Sequence, residues 1–347
     1  MTHHNAIYYD AFMDRGWQPN YRTHPQASDA ALEMVLIEPR DHKYLLKAIS
    51  NMSCLIPHAA LTILHSPDNA ETLHRAIDNG GPHRVKLVPM FSGNITRDDY
   101  SKLMTSPELW ANTLSSDKVL IFQTDSGMRY NDILRYMQYD YVGAPWNWTV
   151  SSDPRIQQGN GGFSLRSRKW MQHIASEFPF TMRGVPADDA EDVFFAKHII
   201  DCYDAQLPPR EEAANFSVEY FPHENPMGFH QAWCYHPEET VVKWMTEGLD
   251  PSRPTTQVEL LDAWIETQNG RCLDSSTSKK LLSWLRLGLG PNGFRMSEGT
   301  LIPFVTCPDP CPGMPKRLFM KVKHKSETFL YRTLLTKGRI TDTILIK

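Results

Sequence analysis

Long apolar runs are missing from this sequence: nothing in its 347 residues approaches the roughly 18 unbroken apolar positions that a membrane-spanning helix needs. Residues 1–10 are polar and lack the apolar centre of a secretory leader, so a cytoplasmic chain is expected. Cysteine is scarce. The six positions, 54, 202, 234, 272, 307 and 311, show no spacing that completes a metal clip, and reduced thiols are expected. There is no dominant charge sign either. A net charge of −4 supplies no global field to draw in nucleic acid. Internal repeats, low-complexity tracts and a Gly-Lys-Ser/Thr phosphate loop are also absent.

What is present is an ordinary globular composition, 41% hydrophobic and 22% charged, enough to bury a sizeable core. Charge is uneven along the chain. Residues 314–347 hold nine Lys/Arg against two acids, so the remainder carries −11. Such a stretch reads either as a solvated, mobile tail or as a surface that contacts an anionic membrane from one side without spanning it.

Hydrophobic patterning predicts strands at 33–38, 60–64, 85–89 and 118–123, separated by helices at 41–52, 69–77 and 98–114. Further on it predicts strands at 139–142 and 162–165 and helices at 167–176 and 190–200. A Pro-containing linker is expected at 250–254, followed by two amphipathic helices at 258–267 and 278–287. The expected organisation is an irregular segment at 1–30, an α/β domain at 31–249 with a mostly parallel sheet flanked by helices, and a mixed helical and basic extension at 250–347.

In such sheets ligands gather beyond the carboxyl ends of the strands. That rule selects Glu38 and Arg40, Ser66 and Asp68, and Thr124, Asp125 and Ser126. Asp125 ends an apolar strand abruptly. An acid there can hold a divalent cation that bridges two phosphates, or it can simply cap a turn. Asn160, Gly161 and Gly162 permit close approach of a ligand to the backbone, and Arg166 offers a forked donor; a plain tight turn is the alternative. Glu191 and Asp192 follow Asp188 and Asp189 at the start of an apolar helical run. Acids suit that position through the helix dipole, and one of them, Asp192 first, could serve as a general base. His230, in a loop of small and aromatic residues, is either a hydrogen-bonded polar residue or a second ligand for a cation. Trp146, Trp148 and Trp233 are candidates to stack on a sugar-like acceptor.

Five ordered segments carry a resemblance: Phe-Gln-Thr-Asp-Ser at 122–126, Asp-Tyr-Val-Gly-Ala-Pro-Trp at 140–146, Gly-Asn-Gly-Gly-Phe-Ser-Leu-Arg at 159–166, Glu-Asp-Val-Phe-Phe at 191–195 and Gly-Phe-His at 228–230. Together they resemble a family of uncharacterised glycosyltransferase-like domains, over residues 34–235. That family in turn looks like the GT-A glycosyltransferases, and the resemblance implies a GT-A-like, Rossmann-like fold. It implies a nucleotide-sugar donor, with UDP or GDP as the nucleotide, a glycan or other hydroxyl acceptor, and Mn²⁺ or Mg²⁺. Asp125 and His230 would then hold the metal, Asp192 would be the base of an inverting transfer, with Glu191 beside it. One departure stands out: Thr124 and Ser126 flank Asp125, so the Asp-x-Asp pair of GT-A enzymes is incomplete. Two other function classes fit the same residues: a non-catalytic carbohydrate- or nucleotide-binding module, and a metal-dependent phosphotransferase or hydrolase.

Overall fold

The computed structural model describes residues 6–17, 31–78, 85–153, 155–182, 190–246, 258–290, 293–298, 300–302, 314–324, 327–336 and 339–346. Asp188, Asp189 and the expected linker at 250–254 lie outside them. The first described element is helix α1 (Ala6–Met13). It then alternates strand and helix: β1 (Leu32–Ile37), α2 (Leu45–Leu55), β2 (Ala60–His65), α3 (Pro67–Asp78), β3 (Val85–Pro89), α4 (Arg97–Met104) and β4 (Lys118–Phe122). Less regular elements follow: β5 (Ser126–Met128), α5 (Ile133–Tyr136), β6 (Tyr141–Gly143), β7 (Phe163–Ser167), α6 (Arg168–Glu177), α7 (Glu191–Ile199), α8 (Arg210–Phe216), β8 (Ser217–Val218), β9 (Gly228–His230) and α9 (Glu238–Thr246).

The central sheet has the order β3-β2-β1-β4-β7-β6. Its first four strands are parallel, and β7 and β6 join antiparallel, so the expected mostly parallel sheet flanked by helices is what forms. All six residues of β1 are buried, because the sheet is covered on both faces and successive side chains enter opposite layers. Met34 and Leu36 join a core with α1, α2 and α9, whereas Val35 and Ile37 join a second core with α4, α6 and α7. Chain order reverses at β1, which has β2 on one side and β4 on the other. A crevice is expected outside the carboxyl ends of those strands. Because β7 runs the other way, Phe163 pairs with Phe122, and the glycines just before β7 arrive at the same rim.

Three expectations are corrected. The segment before residue 31 contains an ordered helix, α1, whose Tyr9 and Phe12 are buried in the core. The helix expected over 98–114 stops at Met104 and resumes only as a π-helical turn at Leu109–Thr113. Pro107, between them, has no N–H and disfavours helical backbone at Ser106. The segment expected as a helix at 258–267 is strand β10 (Val258–Thr267). Its apolar spacing satisfied both periods. After a bulge between Leu260 and Asp262, burial alternates through Ala263, Ile265 and Thr267, and an antiparallel partner decided the outcome.

That partner belongs to the C-terminal region, which continues with β11 (Gly270–Arg271), α10 (Ser275–Arg286), β12 (Leu289–Gly290), β13 (Gly293–Met296), β14 (Lys316–His324), β15 (Glu327–Thr336), β16 (Arg339–Ile340) and β17 (Ile344–Ile346). The basic stretch is therefore no loose tail. It forms strands of a five-stranded sheet, β11-β10-β14-β15-β16, with Arg317, Lys321, Lys323 and Arg332 turned to solvent. No helix among the described residues is long and apolar enough to cross a membrane.

Candidate active site

The rim where β1 and β4 end bears two adjoining clefts. The smaller, of about 270 Å³, is bounded by Glu38 and Arg40 after β1, Thr124 and Asp125 after β4, and Thr96 at the start of α4. The larger, of about 470 Å³, contains Asn160, Gly161 and Gly162, then Asp192, Trp146, Trp148 and His230. Arg97, Tyr100 and Gln123 line both and form the ridge between them. A capping box presents that ridge: the Asp99 N–H donates to Thr96 Oγ1 (3.1 Å) and the Thr96 N–H to the Asp99 carboxylate (3.1 Å), fixing the first turn of α4.

Asp125 sits in a tight turn closed by Ser126. The Ser126 N–H and Oγ both donate to the Gln123 carbonyl, at 3.1 and 2.8 Å. From beneath, the Tyr9 hydroxyl donates to the carbonyls of Thr124 (2.6 Å) and Ser126 (3.2 Å). The small sheet β5-β9-β8 pairs Ser126 with His230, which is why Asp125 and His230, 105 positions apart, stand side by side. His230 Nε2 lies 3.4 Å from Asp125 Oδ1, and His230 Nδ1 lies 3.0 Å from Glu219 Oε1. Gln231 adopts left-handed backbone (φ 45°) and donates its amide to Asp125 Oδ2. That conformation is unusual for a non-glycine residue and is held by the neighbouring contacts.

Charge follows this geometry. Burial opposes the imidazolium of His230, but the carboxylates of Asp125 and Glu219 outweigh it and push its pKa up to about 10. Burial likewise opposes the Asp125 carboxylate, and the His230 charge outweighs that, bringing Asp125 down to about 2. Asp192 behaves oppositely. Burial first, and the neighbouring Glu191 second, raise it to about 6, against the N–H groups of Gly161 (2.9 Å) and Val193 (2.8 Å) that favour its charged form.

Several of the selected residues have other work. The Arg166 fork is fully buried and donates to both oxygens of Glu191 (2.6 and 3.0 Å), with Tyr141 and Phe195 packed against it. Arg166 is thus not a free donor for phosphate, and Glu191 is not a free carboxylate. Ser66 is buried; its hydroxyl donates to the Pro39 carbonyl (2.6 Å) and accepts the Asp68 N–H (3.0 Å), so it anchors the start of α3. Asp68 is exposed there, and neither residue lines a cleft. Ser126 closes its turn from inside the core. Trp233 is also buried, stacked on Tyr9 at 3.9 Å rather than facing an acceptor. By contrast Trp148 is exposed, with its ring 5.3 Å from that of Trp146, and both line the larger cleft. Arg40 donates to both Glu38 oxygens (2.7 Å each), and Thr124 Oγ1 reaches Glu38 at 3.2 Å, so these line the smaller cleft as a linked group.

Sequence reasoning missed Glu219, Gln231, Tyr100 and Tyr9. Glu219 and Tyr9 act on partners far away in the chain, and no local spacing marks them. Glu38 had a hidden partner as well: Asn69, in α3, donates to the carbonyls of Glu38 (2.6 Å) and Arg40 (3.0 Å) and fixes that loop.

Asp125 Oδ1 and both ring nitrogens of His230 are buried and make no aligned hydrogen bond. Mixed N and O donors at this separation fit two neighbouring positions around a divalent cation. Among the described residues no set of three or more His, Cys, Asp or Glu is grouped to hold a metal, so a cation held here would take its remaining ligands from other oxygens, such as water or a bound phosphate.

The molecule is thus an α/β protein with a two-part polar cleft at the switch point of its sheet. A family model described as "Protein of unknown function (DUF5672)" matches residues 87–230. No curated protein matches the chain in sequence. Among solved structures, the mannosyltransferase PcManGT from Pyrobaculum calidifontis, in complex with GDP-Man and Mn²⁺, is similar at 10% identity and a TM-score of 0.37, over 59% of this chain and 62% of that one. The chain therefore spans less than two thirds of that enzyme. The 4-diphosphocytidyl-2C-methyl-D-erythritol synthase from Anaerococcus prevotii DSM 20548 is similar at 10% identity and a TM-score of 0.31, over 54% of this chain and 88% of that one.

Proposed function

We propose that the protein is a glycosyltransferase that moves a sugar from a nucleotide-sugar donor to an acceptor hydroxyl, with inversion. The observation that carries this reading is the division of labour at the rim. A carboxylate of raised pKa, Asp192, stands in the larger cleft, and an acid–histidine pair, Asp125 and His230, stands where that cleft meets the smaller one. Two compartments suit two substrates, and one free base suits a single displacement.

The donor occupies the smaller cleft beside Glu38, Arg40, Thr124 and Asp125. The acceptor lies in the larger one against Trp146 and Trp148, with Asn160, Gly161 and Gly162 as its backbone wall. The acceptor oxygen forms the new bond to the anomeric carbon as the bond from that carbon to the diphosphate breaks. The acceptor proton passes to Asp192, and the nucleoside diphosphate leaves with the bonding pair. Asp125 and His230 are the residues that would hold Mn²⁺ or Mg²⁺, which supplies neutralising charge on the leaving diphosphate. Aligning the two substrates contributes as much as about 7–11 kcal/mol in well-aligned cases.

A thermal-shift screen of UDP, GDP and their sugars, with and without Mn²⁺, tests the reading. A donor-specific rise, followed by release of nucleoside diphosphate, is the expected result. Release of inorganic phosphate instead would point to a phosphohydrolase, and a shift without turnover of any donor would leave a binding module.

A further inference from the structure

Glu219, immediately after β8, is 3% exposed yet has a carboxylate. Both of its oxygens face polar neighbours. The Asn160 amide donates to Oε2 (2.7 Å), and Oε1 lies 3.0 Å from His230 Nδ1. The Glu219 carbonyl is bound in turn by His236 Nε2 (2.6 Å), which pins its backbone. Asn160 is itself tied to the glycine loop, since its Oδ1 accepts the Gly162 N–H (3.2 Å). Gly162 lies flat against the imidazole: a Cβ built there would collide with the ring of His230.

The ring therefore has a buried acid 3.0 Å from one nitrogen and bare backbone across one face. Its other nitrogen, Nε2, is the one turned to Asp125. A buried carboxylate on the far nitrogen of a histidine commonly fixes which nitrogen is offered to a metal and at what angle. We propose that Glu219, held by Asn160, is a positioning residue that presents His230 Nε2 beside Asp125 as a two-ligand seat for a divalent cation, which the diphosphate of the donor completes. This rests on the reading of Asp125 and His230 as the cation-holding pair. With only two protein ligands, the seat binds cation weakly alone and tightly together with a nucleoside diphosphate.

The test is a titration of the full chain with Mn²⁺, with and without UDP or GDP, read by calorimetry and by the ¹⁴N coupling in the electron spin echo of bound Mn²⁺. Asp125→Asn, Glu219→Gln and Asn160→Ala are compared with wild type, and thermal melts check folding. Glu219→Gln is expected to weaken Mn²⁺ in the ternary complex about 10–100-fold and to diminish the nitrogen coupling, while metal-free nucleotide binding persists. Wild-type Mn²⁺ affinity and coupling in Glu219→Gln overturn the inference. Should that variant not fold, Asn160→Ala, which leaves the acid but frees its orientation, decides the matter: weakened coupling supports the role, and unchanged coupling and affinity overturn it. If Asp125→Asn binds Mn²⁺ as wild type does, or wild type binds neither cation nor nucleotide, the cation-pair reading itself falls. Loss in Asp125→Asn with no loss in Glu219→Gln removes the positioning role alone.

Discussion

The site turns on individual side chains whose behaviour is set by burial. To serve as the proposed base Asp192 must lose its proton, and burial together with Glu191 raises its pKa to about 6. Transfer should therefore rise with pH through about 6 and level off above it, as a pH–rate profile would show. Asp192→Asn should abolish transfer and leave donor binding; turnover by that variant would remove Asp192 as the base. The same shift has a stability consequence. A carboxyl whose folded pKa lies above its unfolded value holds its proton more tightly when folded, so its contribution declines as pH rises from about 4 through 6. Asp192→Asn should accordingly favour the folded state more at pH 8 than at pH 4, by on the order of 2 kcal/mol in denaturant unfolding. Gly162→Ala makes a different point. It should displace His230 and reduce nucleotide–Mn²⁺ binding while leaving the sheet intact, measured by calorimetry beside a circular dichroism melt.

Elements bring these residues together, and the contacts that secure them are buried ion pairs and caps. Arg166 on β7 and Glu191 at the start of α7 lock the helix bearing Asp192 to the sheet. Removing one partner leaves an uncompensated buried charge, so Arg166→Met should cost about 3–5 kcal/mol in denaturant unfolding. Arg166→Met combined with Glu191→Leu should recover much of that loss. Equal destabilisation by the single and double variants would contradict this account. Helix α1 secures the other half of the rim through the Tyr9 hydroxyl beneath the Asp125 turn. Tyr9→Phe should cost about 1–3 kcal/mol, because it leaves buried carbonyls without their donor, and melting curves check it.

Across the whole molecule, the C-terminal region is part of the same core rather than an appendage. Leu260, Trp284, Phe294 and Met296 belong to one apolar cluster with Met34 and Leu120 of the central sheet. Asn131 donates to the carbonyls of Leu287 (2.6 Å) and Leu289 (3.1 Å), and Ser297 donates to Asp132 (2.7 Å). A chain ending at Thr246 should lose the single cooperative melt of the full protein; retention of that melt at the same temperature would show the region to be dispensable for folding.

The sequence alone determined the parallel strands, because a strand buried on both faces reads as a nearly continuous apolar run, as in Leu32–Ile37, where only Glu33 breaks it and finds partners in Thr62, Ser115 and Ser116. It also marked the acids at their carboxyl ends, Glu38 and Asp125, and the glycine loop at 159–162, since chemistry at such places leaves short local patterns. Tertiary structure alone decided which of the marked residues are free to act. Arg166 and Glu191 satisfy one another, Ser66 and Ser126 close turns, and Trp233 is buried, and none of this is visible in periodicity, which reports a face and not its depth. Tertiary structure also supplied Glu219 and Tyr9, and it turned 258–267 into a strand. In each case the deciding partner lies far along the chain, and a contact between distant residues has no local signature.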